Sequence, residues 1–128
     1  MLIGMMNLDA GVYIAVFYMS KDRRIQIGRF GRFRFSQGVY YYVGSAQRNL
    51  SARIERHNRK EKPLRWHIDF LSAKSDMLGA ITILGPRELE CQLAKKLAGM
   101  FELAVPGFGA SDCKCGGHLF YVKDLVKI

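Results

Sequence analysis

A tyrosine-rich segment of this chain ends in glycine, and an arginine and a histidine follow it at helical spacing. Residues 38–46 read Gly-Val-Tyr-Tyr-Tyr-Val-Gly-Ser-Ala, a pattern typical of a strand that ends at a turn. Arg53 and His57 lie four residues apart, so a helix would direct both side chains to the same side. A phenol, a guanidinium and an imidazole could therefore converge at the end of this strand. Such a group of side chains is suited to binding and activating a phosphodiester.

Hydrolysis of a phosphodiester requires an activated water, stabilisation of the charge at phosphorus and, in many enzymes, a divalent metal ion. Tyr13 and Tyr42 each offer a phenol near a strand end. Because the ordinary pKa of a phenol is about 10, a neighbouring cation or a metal-bound water would have to assist either one at neutral pH. Arg53 could donate two parallel hydrogen bonds to a phosphate. His57 could relay a proton near neutral pH.

Glu90 is the carboxylate that this chemistry would use. It precedes Leu93, Ala94 and Leu97 at helical spacing, so a helix would place it on or beside an apolar stripe. A carboxylate in that position must be paired or bound to a metal. One carboxylate together with phosphate oxygens and waters is a common way of holding Mg²⁺. The sequence therefore predicts Glu90 as a ligand of Mg²⁺ or Mn²⁺.

Each of these residues also has a simpler interpretation. The tyrosines could serve sheet packing alone, since tyrosine favours strands. Arg53 and His57 could be ordinary surface residues of a helix. Glu90 could pair with Arg87 or Lys95. The order and spacing of these residues favour a site role for Arg53 and Glu90, and they leave both interpretations open for Tyr13 and His57.

The positive charge of the chain is concentrated in one segment. The formal net charge is +9, but residues 21–65 hold 13 of the 20 Lys and Arg and 3 of the 11 Asp and Glu, a local net of +10. Such clustering favours a polyanionic partner bound through its phosphates, and we expect nucleic acid, with DNA favoured over RNA. The arginines predicted to contact it are Arg23, Arg24, Arg29, Arg32, Arg34, Arg48 and Arg56. An alternative function is a nucleic-acid-binding module that does not cleave, with the basic hairpin as a phosphate clamp and the tyrosines as stacking surfaces.

The length of 128 residues predicts a single domain over residues 1–128. No apolar stretch has the length needed to cross a bilayer, so we expect no membrane partner. Residues 1–6 are apolar but no basic stretch precedes them, and they do not resemble a secretory signal. These observations predict a cytoplasmic protein with reduced cysteines.

The apolar periodicity predicts an α/β fold of the α+β type, with a small, mostly antiparallel sheet flanked by helices and an inserted basic hairpin. The strands are predicted at residues 11–18, 24–27, 32–35, 39–43, 77–84 and 118–123. The helices are predicted at residues 49–60, from Pro63 and from residues 85–86. We expect Asn49 or Ser51 to cap the first helix and the second helix to carry Trp66, Phe70 and Leu71 inward.

A cluster of cysteine and histidine lies near the end of the chain. Cys113, Cys115 and His118 form a Cys-x-Cys-x-x-His pattern, and Cys91 and His67 stand elsewhere in the sequence. Four such ligands could form a tetrahedral zinc site, which would make the chain a zinc-stabilised interaction module. The spacing differs from the usual zinc pairs, and a structural role for the cysteines and for His118 is favoured.

The pattern of these residues resembles the GIY-YIG nuclease superfamily. Gly11-Val12-Tyr13 is similar to its first signature strand and Tyr42-Val43-Gly44 to its second. Arg53 and His57 match the Arg and His of the next helix, and Glu90-Cys-Gln-Leu-Ala resembles the helix with the metal-binding Glu. The resemblance implies a metal-dependent endonuclease in which a Tyr-assisted water attacks, Arg53 stabilises the phosphorane and Glu90 holds the metal.

The resemblance is closer to the branch catalogued as domain of unknown function 123. Five blocks typical of this branch occur at residues 38–46, 53–57, 66–69, 90–94 and 108–119, so the resemblance covers nearly the whole chain. Two features depart from the superfamily. Residues 14–41 separate Tyr13 from Tyr42, which is more than the superfamily usually has there, and the basic hairpin fills this gap. Arg56 also competes with Arg53 for the catalytic assignment.

Overall fold

The computed structural model describes residues 9–109 and 116–124, and within these residues it has seven strands and three helices. The strands are β1 Gly11–Met19, β2 Arg23–Ile27, β3 Gly31–Phe35, β4 Gly38–Ala46, β5 Asp76–Ile83, β6 Glu102–Leu103 and β7 Leu119–Val122. The helices are α1 Leu50–Asn58, α2 His67–Ser72 and α3 Leu89–Ala98. The predicted α+β class is confirmed.

The main sheet has the strand order β5-β1-β4-β7-β6, and every pair in it is antiparallel. The two long strands β1 and β4 lie at its centre and pair from Gly11 opposite Ala46 to Met19 opposite Gly38. This register places Tyr13 directly opposite Gly44. The strands that carry Tyr13 and Tyr42 are therefore neighbours, although the hairpin separates them in sequence.

The sheet is covered on both faces. One face carries Tyr13 and Phe17 from β1, which pack in the same buried cluster as Ile68 and Leu71 of α2. The opposite face carries Val12, which packs with residues of α3. Successive strand residues point to opposite faces, so Tyr13 and its neighbour Val12 belong to different cores. Consequently α1 and α2 lie on the Tyr13 face and α3 on the other.

The basic hairpin forms as predicted. Strands β2 and β3 pair antiparallel as a separate two-stranded sheet, with Arg24 opposite Arg34. Ile27 and Phe35 are buried and join the core of the Tyr13 face. At its turn, Phe30 stacks on His67 at the start of α2, with ring centroids 4.3 Å apart. The apolar side of the hairpin therefore fixes its position against the domain.

The cap of α1 differs from the prediction. Asn49 precedes the helix with a left-handed backbone (φ 54°) and its side chain makes no capping hydrogen bond. Asp9, before β1, accepts hydrogen bonds from the backbone N–H of Ser51 at 2.8 Å and from its hydroxyl at 2.6 Å. Asp9, which is distant in sequence, therefore accepts a hydrogen bond from a backbone N–H group at the start of α1. The side chain of Asn49 or Ser51 was expected to cap the helix in this way.

The second helix is shorter than expected. It begins at His67 rather than at Pro63, and Phe70 packs against the core as predicted. Trp66 precedes the helix and is 40% exposed, so the prediction that it points inward is wrong. The reason is that Asp69 accepts the backbone N–H groups of Arg65 and Trp66 and so begins the helix just after Trp66.

The short strand β6 was not predicted, since two residues are too few to show a period. Among the described residues, the helices are all too short to cross a bilayer.

Candidate active site

An open cleft of about 460 Å³ lies at the end of β4, where Gly44, Ser45 and Ala46 line it. Four of the five predicted catalytic residues line it, namely Tyr13, Tyr42, Arg53 and Glu90. The fifth, His57, lies behind Tyr13 and is buried. Folding therefore brings together all five residues, which come from β1, β4, α1 and α3.

Tyr13 and His57 form a buried hydrogen-bonded pair. The phenol oxygen of Tyr13 lies 2.7 Å from Nε2 of His57, and both residues are almost fully buried. Burial lowers the pKa of His57 from 6.5 to about 4, and the nearby Lys62 acts in the same direction. The imidazole is therefore neutral at neutral pH, and Tyr13 lies between it and the cleft.

Both cleft phenols are protonated at neutral pH. Burial raises the pKa of Tyr13 well above the ordinary value, and the neighbouring Tyr42 raises it further. Burial and then Glu90 raise the pKa of Tyr42, although Arg53 acts in the opposite direction. A free phenolate is thus not the resting state of either residue. Each phenol can donate a hydrogen bond, or pass a proton on when another group accepts one.

Arg53 is held against the end of β4. Its Nη1 donates a hydrogen bond to the backbone oxygen of Ser45 at 2.6 Å, and its guanidinium carbon lies 4.8 Å from the ring centroid of Trp66. The residue is only partly buried and lines the cleft. One nitrogen is therefore used for positioning, while the rest of the planar guanidinium remains for a bound anion.

Glu90 reaches the cleft from α3 and is held by two neighbours. Ser45 Oγ donates a hydrogen bond to its Oε1, and Nδ1 of His118 lies 2.8 Å from its Oε2. The side chain of Glu90 is 21% exposed. Burial raises the pKa of Glu90, but the hydrogen bonds from His118 and Ser45 outweigh it, so its pKa lies below the ordinary value. Glu90 is therefore an oriented, ionised carboxylate at neutral pH.

The donor set of the cleft fits a divalent metal that takes most of its ligands from elsewhere. Among residues 9–109 and 116–124, no group of three or more His, Cys, Asp or Glu could hold a metal ion. Glu90 is the carboxylate that lines the described cleft, and the hydrogen bonds at its oxygens are the outer support that metal-binding carboxylates usually have. A single carboxylate suits Mg²⁺ bound mainly by phosphate oxygens and water.

The structure separates Arg53 from Arg56. Nη2 of Arg56 lies 2.7 Å from Oδ2 of Asp69, whose side chain is fully buried. Arg56 is not among the residues that line the cleft. Because the buried Asp69 pairs with this cation, Arg56 contributes to the fold, and Arg53 is the one of the two arginines that lines the cleft.

The other predicted nucleic-acid contacts have different surroundings. Three are exposed on the hairpin: Arg24, Arg29 and Arg32. Arg34 is also exposed, but it bridges Asp22 at 2.6 Å. Arg23 is only partly exposed. Arg48 is exposed and is the member of this predicted set that lines the cleft.

The cysteine cluster falls largely outside the described residues, where Cys113 and Cys115 lie. Cys91 is disulfide-bonded, so the expectation of reduced cysteines is wrong for this residue. A disulfide sulfur is not a thiolate ligand, which argues against zinc at Cys91. His118 is directed at Glu90 instead.

Three cleft features were not anticipated from the sequence. Ser45, near the end of β4, supports Glu90 with its hydroxyl and holds Arg53 with its backbone oxygen. His118 supports Glu90, although its pattern suggested a link to cysteines. Trp66 lines the cleft. The signal for Ser45 was its position directly after the Tyr-Val-Gly segment, where a side chain lies at the strand end.

A family model supplies the relation of this chain to known proteins. The model described as "Domain of unknown function DUF123" matches residues 12–128. The chain belongs to this family. The match contains both central strands and the Glu90 helix. No curated protein and no solved structure gives a significant match.

Proposed function

We propose that this member of the DUF123 family hydrolyses phosphodiester bonds of nucleic acid as a metal-dependent endonuclease of the GIY-YIG type. The observation that carries the proposal is the open cleft that Tyr42, Arg53 and Glu90 share. The relation to the GIY-YIG superfamily is itself part of the proposal and rests on the order and spacing of these residues. DNA is the favoured substrate, and the cytoplasm is the proposed location.

Each side chain has a role that its surroundings permit. Arg53 would meet the scissile phosphate with the nitrogens that Ser45 does not use, and it would stabilise the charge that develops at phosphorus. Glu90 would hold Mg²⁺ or Mn²⁺, which supplies charge neutralisation at the phosphate when bound. Tyr42, as a neutral phenol, would donate a hydrogen bond that orients the water or a phosphate oxygen.

Tyr13 and His57 would act together in proton transfer. A phenol with a raised pKa cannot remove a proton from water while keeping its own. As the water attacks phosphorus, it would give a proton to the Tyr13 oxygen, and the Tyr13 hydroxyl proton would move to Nε2 of His57, 2.7 Å away. This relay requires no phenolate and ends with a charged His57. Because burial disfavours that charge, the proton would return to the leaving oxygen or to solvent.

A second candidate function rests on the hairpin. Arg24, Arg29 and Arg32 are exposed and lie outside the cleft. They would bind nucleic acid through phosphates without cutting it, and the chain would then be a binding module.

Plasmid nicking in Mg²⁺ separates the two functions. The nuclease proposal predicts cleavage by the wild-type chain, its loss in excess chelator and its loss in Arg53→Ala and Glu90→Ala. Urea unfolding of the same preparations is the control that the variants remain folded, and binding of a labelled DNA is measured alongside. Salt-sensitive binding without any cleavage would replace the nuclease with the binding module.

A further inference from the structure

Trp66 lies in the cleft and remains partly exposed there. It is the only tryptophan of the chain, it is 40% exposed, and it lines the cleft. Its backbone is fixed, since its N–H donates to Asp69 Oδ2 at 2.9 Å. Tryptophan has a large apolar surface, and leaving it exposed forgoes the stabilisation that its burial would give. An exposed but firmly positioned indole in a cleft suggests a bound partner.

Two guanidinium groups lie over the indole ring, and each is also held by a hydrogen bond elsewhere. The guanidinium carbons of Arg53 and Arg56 lie 4.8 Å and 5.0 Å from the Trp66 ring centroid. Arg53 is already tied to Ser45 and Arg56 to Asp69 by hydrogen bonds of 2.6 and 2.7 Å. Both arginines come from one helix, three residues apart, so they approach the indole from the α1 side. The exposed remainder of the ring is available to a ligand.

The chemistry of this pair of neighbours matches a nucleotide. The Arg53 guanidinium can bind a phosphate, and the part of the Trp66 ring that remains exposed can stack a planar base. An indole accepts a base whose own face is open, which in nucleic acid means an unpaired or splayed nucleotide. A base inside an intact duplex has both faces covered by its neighbours. Arg48 is exposed and lines the same cleft, where it could meet a flanking phosphate.

We propose that Trp66 stacks a nucleobase next to the phosphate bound by Arg53, so that the cleft selects unpaired nucleic acid over intact duplex. This inference rests on the proposed function in taking the cleft as the substrate site. It adds the structural class of the substrate and a residue that determines it. Stacking on an aromatic ring is tolerant of base identity, so the selection is for an open strand rather than for a sequence.

The lone tryptophan provides a direct signal for binding in the cleft. The Glu90→Gln variant prevents cleavage during the titration and leaves the indole intact. The probes are a short oligothymidine strand, an abasic strand of the same length and a duplex of the same length. The proposal predicts that oligothymidine quenches the tryptophan fluorescence and that the abasic strand and the duplex quench it far less. Equal quenching by all three would overturn it.

A thermodynamic cycle separates stacking from simple support of the arginines. Binding of labelled strands is measured by anisotropy for Glu90→Gln with and without the added Trp66→Leu substitution. With Trp66 present, the abasic strand should bind about tenfold more weakly than the intact strand. With Leu at position 66 that difference should vanish. If Trp66→Leu weakens both strands equally, the indole only supports the arginines and the proposal is wrong.

Two matched variants serve as controls for the binding measurement. Trp66→Phe keeps an aromatic ring and should retain much of the preference for the intact strand. Leu64→Ala changes an exposed apolar residue that does not line the cleft. It should alter neither the affinity for the intact strand nor that for the abasic strand. The cycle is independent of cleavage, so its failure overturns the stacking role alone. A chain that stacks the base and cuts nothing overturns the nuclease proposal alone.

Discussion

The phenol of Tyr13 occupies the space that a side chain at position 44 would need. Gly44 lies directly opposite Tyr13 in the β1–β4 pairing. A Cβ atom added at Gly44 would approach the Tyr13 hydroxyl oxygen more closely than real Cβ atoms approach their neighbours. The glycine that ends the tyrosine-rich segment is therefore required so that Tyr13 can cross it and reach His57.

Replacing this glycine should displace Tyr13. Gly44→Ala forces the phenol or the strand to move, and we expect it to lower the free energy of unfolding by about 1–3 kcal/mol. Urea unfolding measures the loss. The matched control is Gly79→Ala, because a Cβ there meets no atom within 4 Å. Equal stabilities of the two variants would show that the Tyr13 phenol does not lie against position 44.

Burial of neutral His57 should make the protein sensitive to acid. Its pKa is lowered from 6.5 to about 4. Between these values the unfolded chain binds a proton that the folded chain does not, so stability falls as the pH falls from 6.5 towards 4. The loss from this residue should approach about 3 kcal/mol, at about 1.4 kcal/mol per pH unit.

Urea unfolding at several pH values isolates this contribution when His57→Gln serves as the reference. Other groups titrate in both proteins and cancel in the difference. The stability of the wild type relative to the variant should decline through the stated window. A difference that is constant with pH would mean that the imidazole is not buried in its neutral form.

Asp69 should be much more important for stability than an exposed carboxylate in a similar ion pair. Asp69 is fully buried, pairs with Arg56 and accepts two backbone N–H groups. Asp69→Ala leaves the Arg56 charge and those donors without a partner, and we expect a loss of about 3–5 kcal/mol. Asp76→Ala removes an exposed pair with Lys60 and should cost about 1 kcal/mol or less. Thermal or urea unfolding of both variants tests the contrast.

Ser45 should tune the metal affinity of Glu90. Its hydroxyl donates to Glu90 Oε1, and losing such an outer contact typically weakens metal binding about 10- to 100-fold. We therefore expect Ser45→Ala to raise the Mg²⁺ concentration for half-maximal cleavage by about that factor. Ser36→Ala, at an exposed serine outside the cleft, is the control. If Ser45→Ala requires the same Mg²⁺ concentration as the wild type, the hydrogen bond between Ser45 and Glu90 does not affect metal binding.

The sequence predicted the features that local patterns encode. Alternation in residues 24–35 predicted the hairpin, because a strand with one buried face shows a period of two. The spacing of Arg53 and His57 predicted their shared side of α1. The two tyrosine-containing strand patterns predicted that Tyr13 and Tyr42 belong to one site. They do line one cleft, even though a long hairpin separates them in sequence.

The features that were missed depend on contacts between distant residues. Asp9 caps α1 from across the β1–β4 pair, and nothing in the sequence near Ser51 shows this. Trp66 looked like a core residue because tryptophan is mostly apolar, but Asp69 starts the helix after it and leaves it in the cleft. His118 meets Glu90 because β7 lies beside β4, which is a property of the sheet order.

We propose that Arg53 stabilises the charge at phosphorus during hydrolysis. The most direct test is the single-turnover rate of Mg²⁺-dependent DNA cleavage by the wild type, Arg53→Lys and the exposed hairpin control Arg32→Lys, with affinity measured alongside. We predict that Arg53→Lys slows cleavage by about 10²- to 10³-fold with little change in affinity, and that Arg32→Lys leaves the rate unchanged. Equal rates for all three proteins, or no cleavage by the wild type, would contradict the account.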